Sequence, residues 1–275
     1  MTIHTFKLGI SVMALLLLAA CQSTTTTPTT YQGSAPASRT QDRQEVARVR
    51  TQLAAQYIRD GNLDAAKRQL ETALEADSRY APAYDMMGVL LRQEGSEINL
   101  KKADEYFRRA ISLDGNFMQA RNNYGVYLSQ MNRLQDAVTQ FEIAGAALGY
   151  EGRAASLENL GRTYLRLNQT KKAEEAFLRA LDVNFNSAIA RVELMDIFLA
   201  QKNTLAAKQV YDEITTLWGN QALPPRVLLQ GIKLSIMQHN TVQQQRLSQQ
   251  LLSLYPLSDE AKRLKAWLSN PKSEL

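Results

Sequence analysis

Residues 158–180 read ENLGRTYLRLNQTKKAEEAFLRA, and this stretch decides the fold. Its spaced small and large residues are Leu160, Gly161, Tyr164, Ala173, Phe177 and Ala180. Large residues at i and i+4 beside a small one, followed by Ala-x-x-x-Phe-x-x-Ala, have the spacing of helix faces. The stretch therefore predicts two antiparallel helices, A over about residues 154–167 and B over about residues 171–183, which approach closely at the small residues.

The same spacing recurs five times along the chain. The copies begin at Leu53, Met87, Tyr124, Leu160 and Leu194. They lie 34, 37, 36 and 34 residues apart, a period that indicates stacked helix pairs in which each pair packs on its neighbours. A residue that tolerates the left-handed conformation follows helix A in four copies, at Gly61, Gly95, Asn132 and Asn168. We expect helix A to end there.

This pattern resembles the tetratricopeptide repeat (TPR), whose unit has 34 residues. The resemblance covers roughly residues 47–221 and departs from the family at two places. The usual Pro after helix B is missing, and the usual Trp early in helix A is replaced by Tyr84, Arg121, Leu157 and Arg191. A sixth unit is degenerate, because Gln245 and Gln249 stand where the Ala and the aromatic residue are expected.

The resemblance implies an all-α, right-handed solenoid of about six TPR helix pairs and a C-terminal capping helix. The units fall near residues 47–80, 81–117, 118–151, 154–187, 188–221 and 222–256. Ser258 would begin the last helix, over residues 258–269, and Ala261, Leu264 and Leu268 would form its apolar face, with Trp267 as an addition to it. A terminal repeat needs a cover, so capping is the expected role, with a partner site as the alternative.

The first forty residues indicate export and a lipid anchor. Lys7 precedes an apolar stretch, residues 8–20, that is too short to cross a membrane. The stretch ends in Leu-Ala-Ala before Cys21, which resembles a bacterial lipobox. The resemblance implies a signal peptide over residues 1–20 and acylation of Cys21, whose acyl chains would hold the protein on a membrane. Gln22 favours the periplasmic face of the outer membrane under the sorting rule of enteric-type bacteria.

Residues 21–40 are rich in Thr and Pro and carry one charge, so they predict a disordered tether. Residues 41–275 then form the TPR domain. The net charge is +5, but no run of five like charges occurs and the compartment argues against nucleic acid. The basic pairs at 101–102, 171–172 and 262–263 are expected on solvated helix faces, with weak attraction to anionic headgroups or peptidoglycan as the alternative.

The sequence predicts no catalytic site, metal site, cofactor or small-molecule substrate. His4 is removed with the signal peptide, and His239 lies in a polar loop as an expected exposed turn residue. The chain has no His-Glu-x-x-His zinc motif, Gly-x-Ser-x-Gly motif or phosphate loop. We therefore expect a binding protein and not an enzyme.

A partner is expected in a groove formed by the A helices. The predicted groove residues are Thr51, Ala55, Ile58, Asp85, Val89, Arg92, Asn122, Asn123, Val126, Glu158, Asn159 and Arg162. Apolar residues among charges suit an amphipathic helix or an extended apolar peptide. Asn123 and Asn159 occupy the same position in successive units. Their amides either bond a peptide backbone or cap and solvate their own helices.

Four stretches resemble the PilF/PilW family of type IV pilus biogenesis lipoproteins. They are residues 122–125, 158–161, 228–232 and 254–256, and the last two lie in the sixth unit, where general repeat rules do not demand them. The resemblance implies a pilotin, which binds secretin subunits through its groove and promotes their outer-membrane localisation and multimerisation. Two alternatives stay open: an adaptor lipoprotein for barrel assembly or cell-wall synthesis, and an accessory cell-wall or peptide hydrolase.

Overall fold

The computed structural model describes residues 36–271 and residue 275, and this part of the chain forms thirteen α-helices and no strands. The helices are α1 (Pro36–Arg59), α2 (Leu63–Ala76), α3 (Ala81–Glu94), α4 (Glu97–Leu113), α5 (Met118–Gln130), α6 (Leu134–Ala146), α7 (Arg153–Arg166), α8 (Thr170–Val183), α9 (Ala188–Ala200), α10 (Thr204–Trp218), α11 (Pro225–Met237), α12 (Thr241–Leu254) and α13 (Asp259–Ser269). The predicted signal peptide, Cys21 and most of the tether lie outside the described residues.

The helices pair in sequence, and the odd-numbered A helices form one layer. Each A helix packs on its following B helix, from α1 with α2 to α11 with α12. Most successive A helices also approach each other closely, for example α3 with α5 and α11 with α13, whereas the described B helices do not. The stack therefore curves with its A helices on the inner side. The predicted all-α TPR solenoid is confirmed.

Glycines in the A helices set the distance to the B helices. A Cβ atom on Gly161 would lie 2.7 Å from ring atoms of Phe177, and one on Gly125 would lie 2.6 Å from the ring of Phe141. Both phenylalanines are essentially fully buried. The spacing of Gly and Phe in the repeat therefore specifies a close contact between the two helices of a pair, as the sequence predicts.

The turns after the A helices use the left-handed conformation. Gly61 and Gly95 both have φ of 75°, and Asn132 and Asn168 have φ of 58° and 57°. These four predictions are confirmed. His239 is an exposed turn residue, as expected, with φ of 55°.

The two departures from the TPR pattern have structural substitutes. Asp77, Asp114 and Asn184 each accept a hydrogen bond from the backbone amide two residues later, so Asx turns shape loops where the family has Pro. Tyr84 and Arg121 stand at the Trp position and donate to the carbonyl oxygen six residues earlier. Arg191 does the same to Phe185. Each side chain thus ties helix A to the loop before it.

Two predicted features differ from the structure. Residues 36–40, expected in the tether, belong to α1, and Pro at residue 36 is compatible with a helical turn near the start of a helix. Leu268, expected on the apolar face of α13, is 48% exposed. Trp267, the expected addition to that face, is partly buried against the core, beside the fully buried Ala261 and Leu264. Ser258 caps α13 by accepting from the amide of Ala261 at 3.1 Å.

Candidate binding groove

Polar side chains link neighbouring A helices along the inner face. Asn123 on α5 donates from Nδ2 to both carboxylate oxygens of Asp85 on α3, at 2.9 and 3.1 Å. Asn122 accepts through Oδ1 from the hydroxyl of Ser156 and from Nδ2 of Asn159, at 3.1 and 3.2 Å. Both donors belong to α7. These bonds begin a ladder, here called the inner ladder, that runs from one A helix to the next.

The inner ladder continues to the sixth repeat. Ser187, at the start of α9, donates to Glu158 at 2.6 Å. Glu193 on α9 then accepts from Nε of Arg162 at 3.2 Å and from Nη2 of Arg226 at 2.7 Å. Arg226, on α11, also pairs with Asp196 at 2.7 Å. Side-chain bonds therefore connect every A helix from α3 to α11.

Two acidic groups of this ladder, Asp85 and Glu193, have opposite shifts of their pKa. Asp85 is fully buried, and this loss of solvent raises the pKa of its carboxyl to about 7, although the Asn123 amide acts in the other direction. Burial would also raise the pKa of Glu193, but hydrogen bonds and charge from Arg226 and Arg162 outweigh it and the pKa is lowered. The lowered pKa therefore keeps the Glu193 carboxyl ionised at neutral pH, whereas the Asp85 carboxyl changes charge near neutral pH.

The structure corrects part of the predicted groove. Ile58 and Thr51 are 7% and 5% exposed, and Thr51 donates to the carbonyl oxygen of Ala47 within its own helix. Asp85, Asn122 and Glu158 are also buried. Helix α3 packs against α1, which carries Ile58 and Thr51. Hydrogen bonds of the inner ladder engage the side chains of Asp85, Asn122 and Glu158. These five residues are not free surface for a partner.

The other predicted residues keep some exposure. Ala55, Val89, Arg92, Asn123, Val126 and Asn159 are partly exposed, and Arg162 is exposed. Val89 and Val126 also pack against the core. The Nδ2 groups of Asn123 and Asn159 both donate to the preceding A helix, a role that neither expectation included, and Oδ1 of Asn123 also accepts from Gln119 on its own helix. The polar side chains at the bottom of the groove are thus already hydrogen-bonded to each other. The surface that is free for a partner lies between and beside the hydrogen bonds of the inner ladder.

Several inner-face residues were missed by the sequence analysis. Glu193 and Asp196 occupy, one repeat later, the positions of Asn159 and Arg162, so extending the repeat register to the fifth unit would have found them. Arg226 is at neither of these two repeat positions, so the same extension of the repeat would not have found it. Tyr150 comes from the loop between α6 and α7, and its hydroxyl donates to Gln119 at 3.0 Å.

A cleft of about 740 Å³ lies at the C-terminal end of the inner layer, between α9, α11 and α13. We call it the C-terminal cleft. Its apolar wall consists of Leu199, Ile236, Met237 and Trp267, and its basic residues are Lys202, Lys233 and Arg263. Within residues 36–271, no group of three metal-ligating side chains comes together. None of the helices described has the length and apolar character needed to cross a membrane.

The curved stack of helix pairs and its inner groove define a TPR protein. A tetratricopeptide-repeat family model matches residues 81–117 and 154–187. The chain is 30% identical to the type IV pilus assembly protein PilF of Pseudomonas aeruginosa over 82% of its own length and 86% of that protein. The chain therefore belongs to the PilF/PilW family of type IV pilus biogenesis proteins.

Two solved structures show the same architecture. The structure of Pseudomonas aeruginosa PilF superposes with a TM-score of 0.73, at 30% identity, over 82% of this chain and 99% of that one. The crystal structure of PilW, a type IV pilus biogenesis factor, superposes with a TM-score of 0.68 at 24% identity, over 80% and 98% of the two chains. The second likeness concerns the fold alone.

Proposed function

We propose that this protein is a pilotin. In this proposal it is an outer-membrane lipoprotein, anchored through acyl chains on Cys21 at the periplasmic face. It binds secretin subunits of the type IV pilus through its TPR groove and promotes their outer-membrane localisation and multimerisation. The relationship to PilF over 82% of this chain carries the proposal, since that relative is a type IV pilus assembly protein.

The inner face supports a binding role and not a catalytic one. Its polar groups bond each other, and its ion pairs join helices, so they act as a scaffold. Apolar side chains such as Val89 and Val126 remain partly exposed between the rungs. A partner segment can gain affinity there by burying apolar surface, with the ladder holding the helices at a fixed spacing.

In this proposal the lipid anchor determines where the protein is held in the cell envelope. Each buried CH₂ group of an acyl chain contributes about 0.8 kcal/mol, and stable anchoring takes two membrane signals. The two or three chains of a bacterial lipoprotein would therefore hold the protein, and any bound secretin subunit, at the membrane. Replacing the thiol of Cys21 by a hydroxyl removes the acylated residue and leaves the repeat domain unchanged.

Co-purification tests the proposal directly. The tagged wild-type protein is extracted in detergent, captured and analysed by mass spectrometry, beside Cys21→Ser and the matched control Ser23→Ala. We expect a secretin with the wild type and the control. In the Cys21→Ser strain, secretin multimers should disappear from the outer-membrane fraction. Recovery of barrel-assembly or cell-wall proteins without any secretin would favour the adaptor alternative and refute the pilotin.

A further inference from the structure

One edge of the solenoid combines basic and apolar side chains in its C-terminal half. Because the two helices of each pair are antiparallel, every turn from an A helix to its B helix lies at the same edge. Three successive turns of this kind are formed by residues 167–172, 201–205 and 238–242, which we call the basic edge. The basic edge contains three lysines and no acidic residue.

The lysines of the basic edge, all exposed, are Lys171, Lys172 and Lys202. Within residues 36–271 none of the three forms a salt bridge, although Nζ of Lys172 lies 5.5 Å from the centre of the Tyr164 ring. The nearby acid Glu174 lies further along α8 and accepts a hydrogen bond from Gln201. The N-termini of α8, α10 and α12 point to the same edge, so their dipoles add to its positive potential.

Two aliphatic side chains project from the basic edge. Leu205 is 81% exposed and Val242 is 76% exposed. Each is the second residue of its B helix, α10 or α12, so the two occupy equivalent positions in successive repeats. Projecting apolar side chains among basic residues are the combination with which proteins lie at the interface of a membrane.

The rest of the two edges has a different charge pattern. In the first three repeats, the turns from A to B helices carry acidic residues: Asp60, Asp64, Glu97 and Asp136. The opposite edge also exposes an aliphatic side chain, Leu148 at 86%, but it carries Glu151 beside it and Asp259 and Glu260 at the start of α13. An anionic surface is therefore attracted to the basic edge more than to the remainder of either edge.

We propose that the basic edge lies on a membrane that contains anionic phospholipid. The three lysines contact headgroup phosphates, and Leu205 and Val242 enter the boundary between the headgroups and the acyl chains. The inference rests on the proposed function, because the lipid anchor would bring this edge to the membrane. It also orients the solenoid: the A helices point away from the membrane and the groove runs parallel to it. A partner segment in the groove would then lie along the membrane surface.

A fluorescent label at the basic edge tests the contact. The acylated full-length protein is reconstituted in vesicles of phosphatidylethanolamine and phosphatidylglycerol. Cys21 is the only cysteine and would be acylated, so Leu205→Cys supplies a single free thiol for the environment-sensitive label nitrobenzoxadiazole. We expect a blue shift of its emission and quenching by nitroxide-labelled lipid. Leu148→Cys, a similarly exposed aliphatic position on the opposite edge, is the matched control and should show neither effect.

Charge reversal tests the lysines in the labelled Leu205→Cys protein. Lys171→Glu combined with Lys202→Glu should abolish the blue shift, because each lysine beside an anionic membrane changes binding about fivefold. The matched control combines Arg68→Glu with Arg79→Glu, which makes the same change in net charge at exposed positions away from the basic edge, and it should keep the shift. Vesicles of phosphatidylcholine alone should give no shift. Circular dichroism checks that both double variants are folded.

Three outcomes would overturn the inference. The first is the same response from labels at residues 205 and 148. The second is an equal blue shift in the two double variants. The third is binding to purified peptidoglycan sacculi, lost on reversal of the two lysines, without any response to vesicles, which would assign the basic edge to the cell wall.

Secretin recovery distinguishes this inference from the proposed function. If the label reports no membrane contact while the wild type still recovers a secretin, the pilotin stands without the contact. If Cys21 carries no acyl chain, the lipoprotein proposal fails, and flotation of the unlabelled wild type and double variants with the same vesicles still decides whether the basic edge binds the membrane.

Discussion

Asp85 is an ionisable group held in the core of the inner face. Its pKa of about 7 lies well above the ordinary value of 3.8, because burial disfavours the charged form. A carboxyl whose pKa is raised on folding gives its full stabilisation below the unfolded pKa and loses it as the pH rises through the folded pKa. Asp85 should therefore favour the folded state near pH 4 and lower its stability progressively up to about pH 7.

We expect Asp85→Asn to be more stabilising, relative to wild type, at pH 8 than at pH 5. The amide is neutral and similar in shape to the protonated acid, but the unfolded carboxyl is already ionised at pH 5, so part of the difference is present there. At pH 8 the difference should rise by on the order of 1 kcal/mol or more, or about 2–4 °C in Tm. Thermal unfolding followed by circular dichroism measures it.

The exposed substitution Asp182→Asn, on α8, makes the same change in net charge and serves as the control. Its Tm difference from wild type should be the same at both pH values. An Asp85→Asn effect that is equally independent of pH would show that the Asp85 carboxyl is not the titrating group.

At the scale of one helix pair, the decisive contact is a glycine against a ring. Gly161→Ala would place Cβ 2.7 Å from ring atoms of Phe177, which is fully buried, so the ring or the helix has to shift. Alanine favours a helix by up to about 1 kcal/mol, but overpacking costs about 1–3 kcal/mol. We expect a net loss of roughly 1 kcal/mol or more in the free energy of unfolding, measured by urea titration.

Gly115→Ala is the matched control, because its nearest neighbour is a guanidinium nitrogen of Arg121 at 3.9 Å, an ordinary contact. It should change stability by less than about 0.5 kcal/mol. A second test adds Phe177→Leu to Gly161→Ala. The smaller side chain should cost less in that background than in wild type, and simple additivity would contradict the contact.

The helix pairs could be predicted from sequence, but the inner ladder could not. The Gly161 and Phe177 spacing is local, so it specifies the pair without knowledge of its neighbours. The bond between Asn123 and Asp85 depends on how α3 and α5 rotate against each other, which neither helix encodes alone. Ile58 shows the same limit: its place on the A helix face is correct, but the packing of α3 on α1 buries it.

Across the whole molecule, the ion-pair cluster of Glu193 joins three repeats. Glu193→Gln removes the anion that Arg162 and Arg226 share. Because these arginines are 47% and 43% exposed, we expect a loss of only about 1 kcal/mol. In a repeat protein such a loss acts on nearest neighbours. Hydrogen exchange should therefore rise in α7–α12 and stay unchanged in α1–α4.

The pH dependence of this loss is opposite to that of Asp85. The pKa of Glu193 is lowered on folding, so its stabilisation is present above the ordinary carboxyl pKa and disappears as the pH falls through the lowered value. The Glu193→Gln effect should shrink in acid. Glu175→Gln, an exposed change on α8, is the control, and a uniform rise in exchange along the chain would contradict local coupling.

The inner ladder also has a mechanical consequence. Hydrogen bonds and ion pairs, which depend on direction, connect the A helices along the inner face. Apolar contacts, which do not depend on direction, hold the rest of the solenoid together. The inner face should therefore resist bending more than the rest of the solenoid. Flattening the solenoid would stretch hydrogen bonds of the inner ladder, such as that between Asn123 and Asp85, before the core is exposed. A partner segment pulled along the groove would then meet a stiff, curved surface, and the curvature of the solenoid would not change to fit the segment.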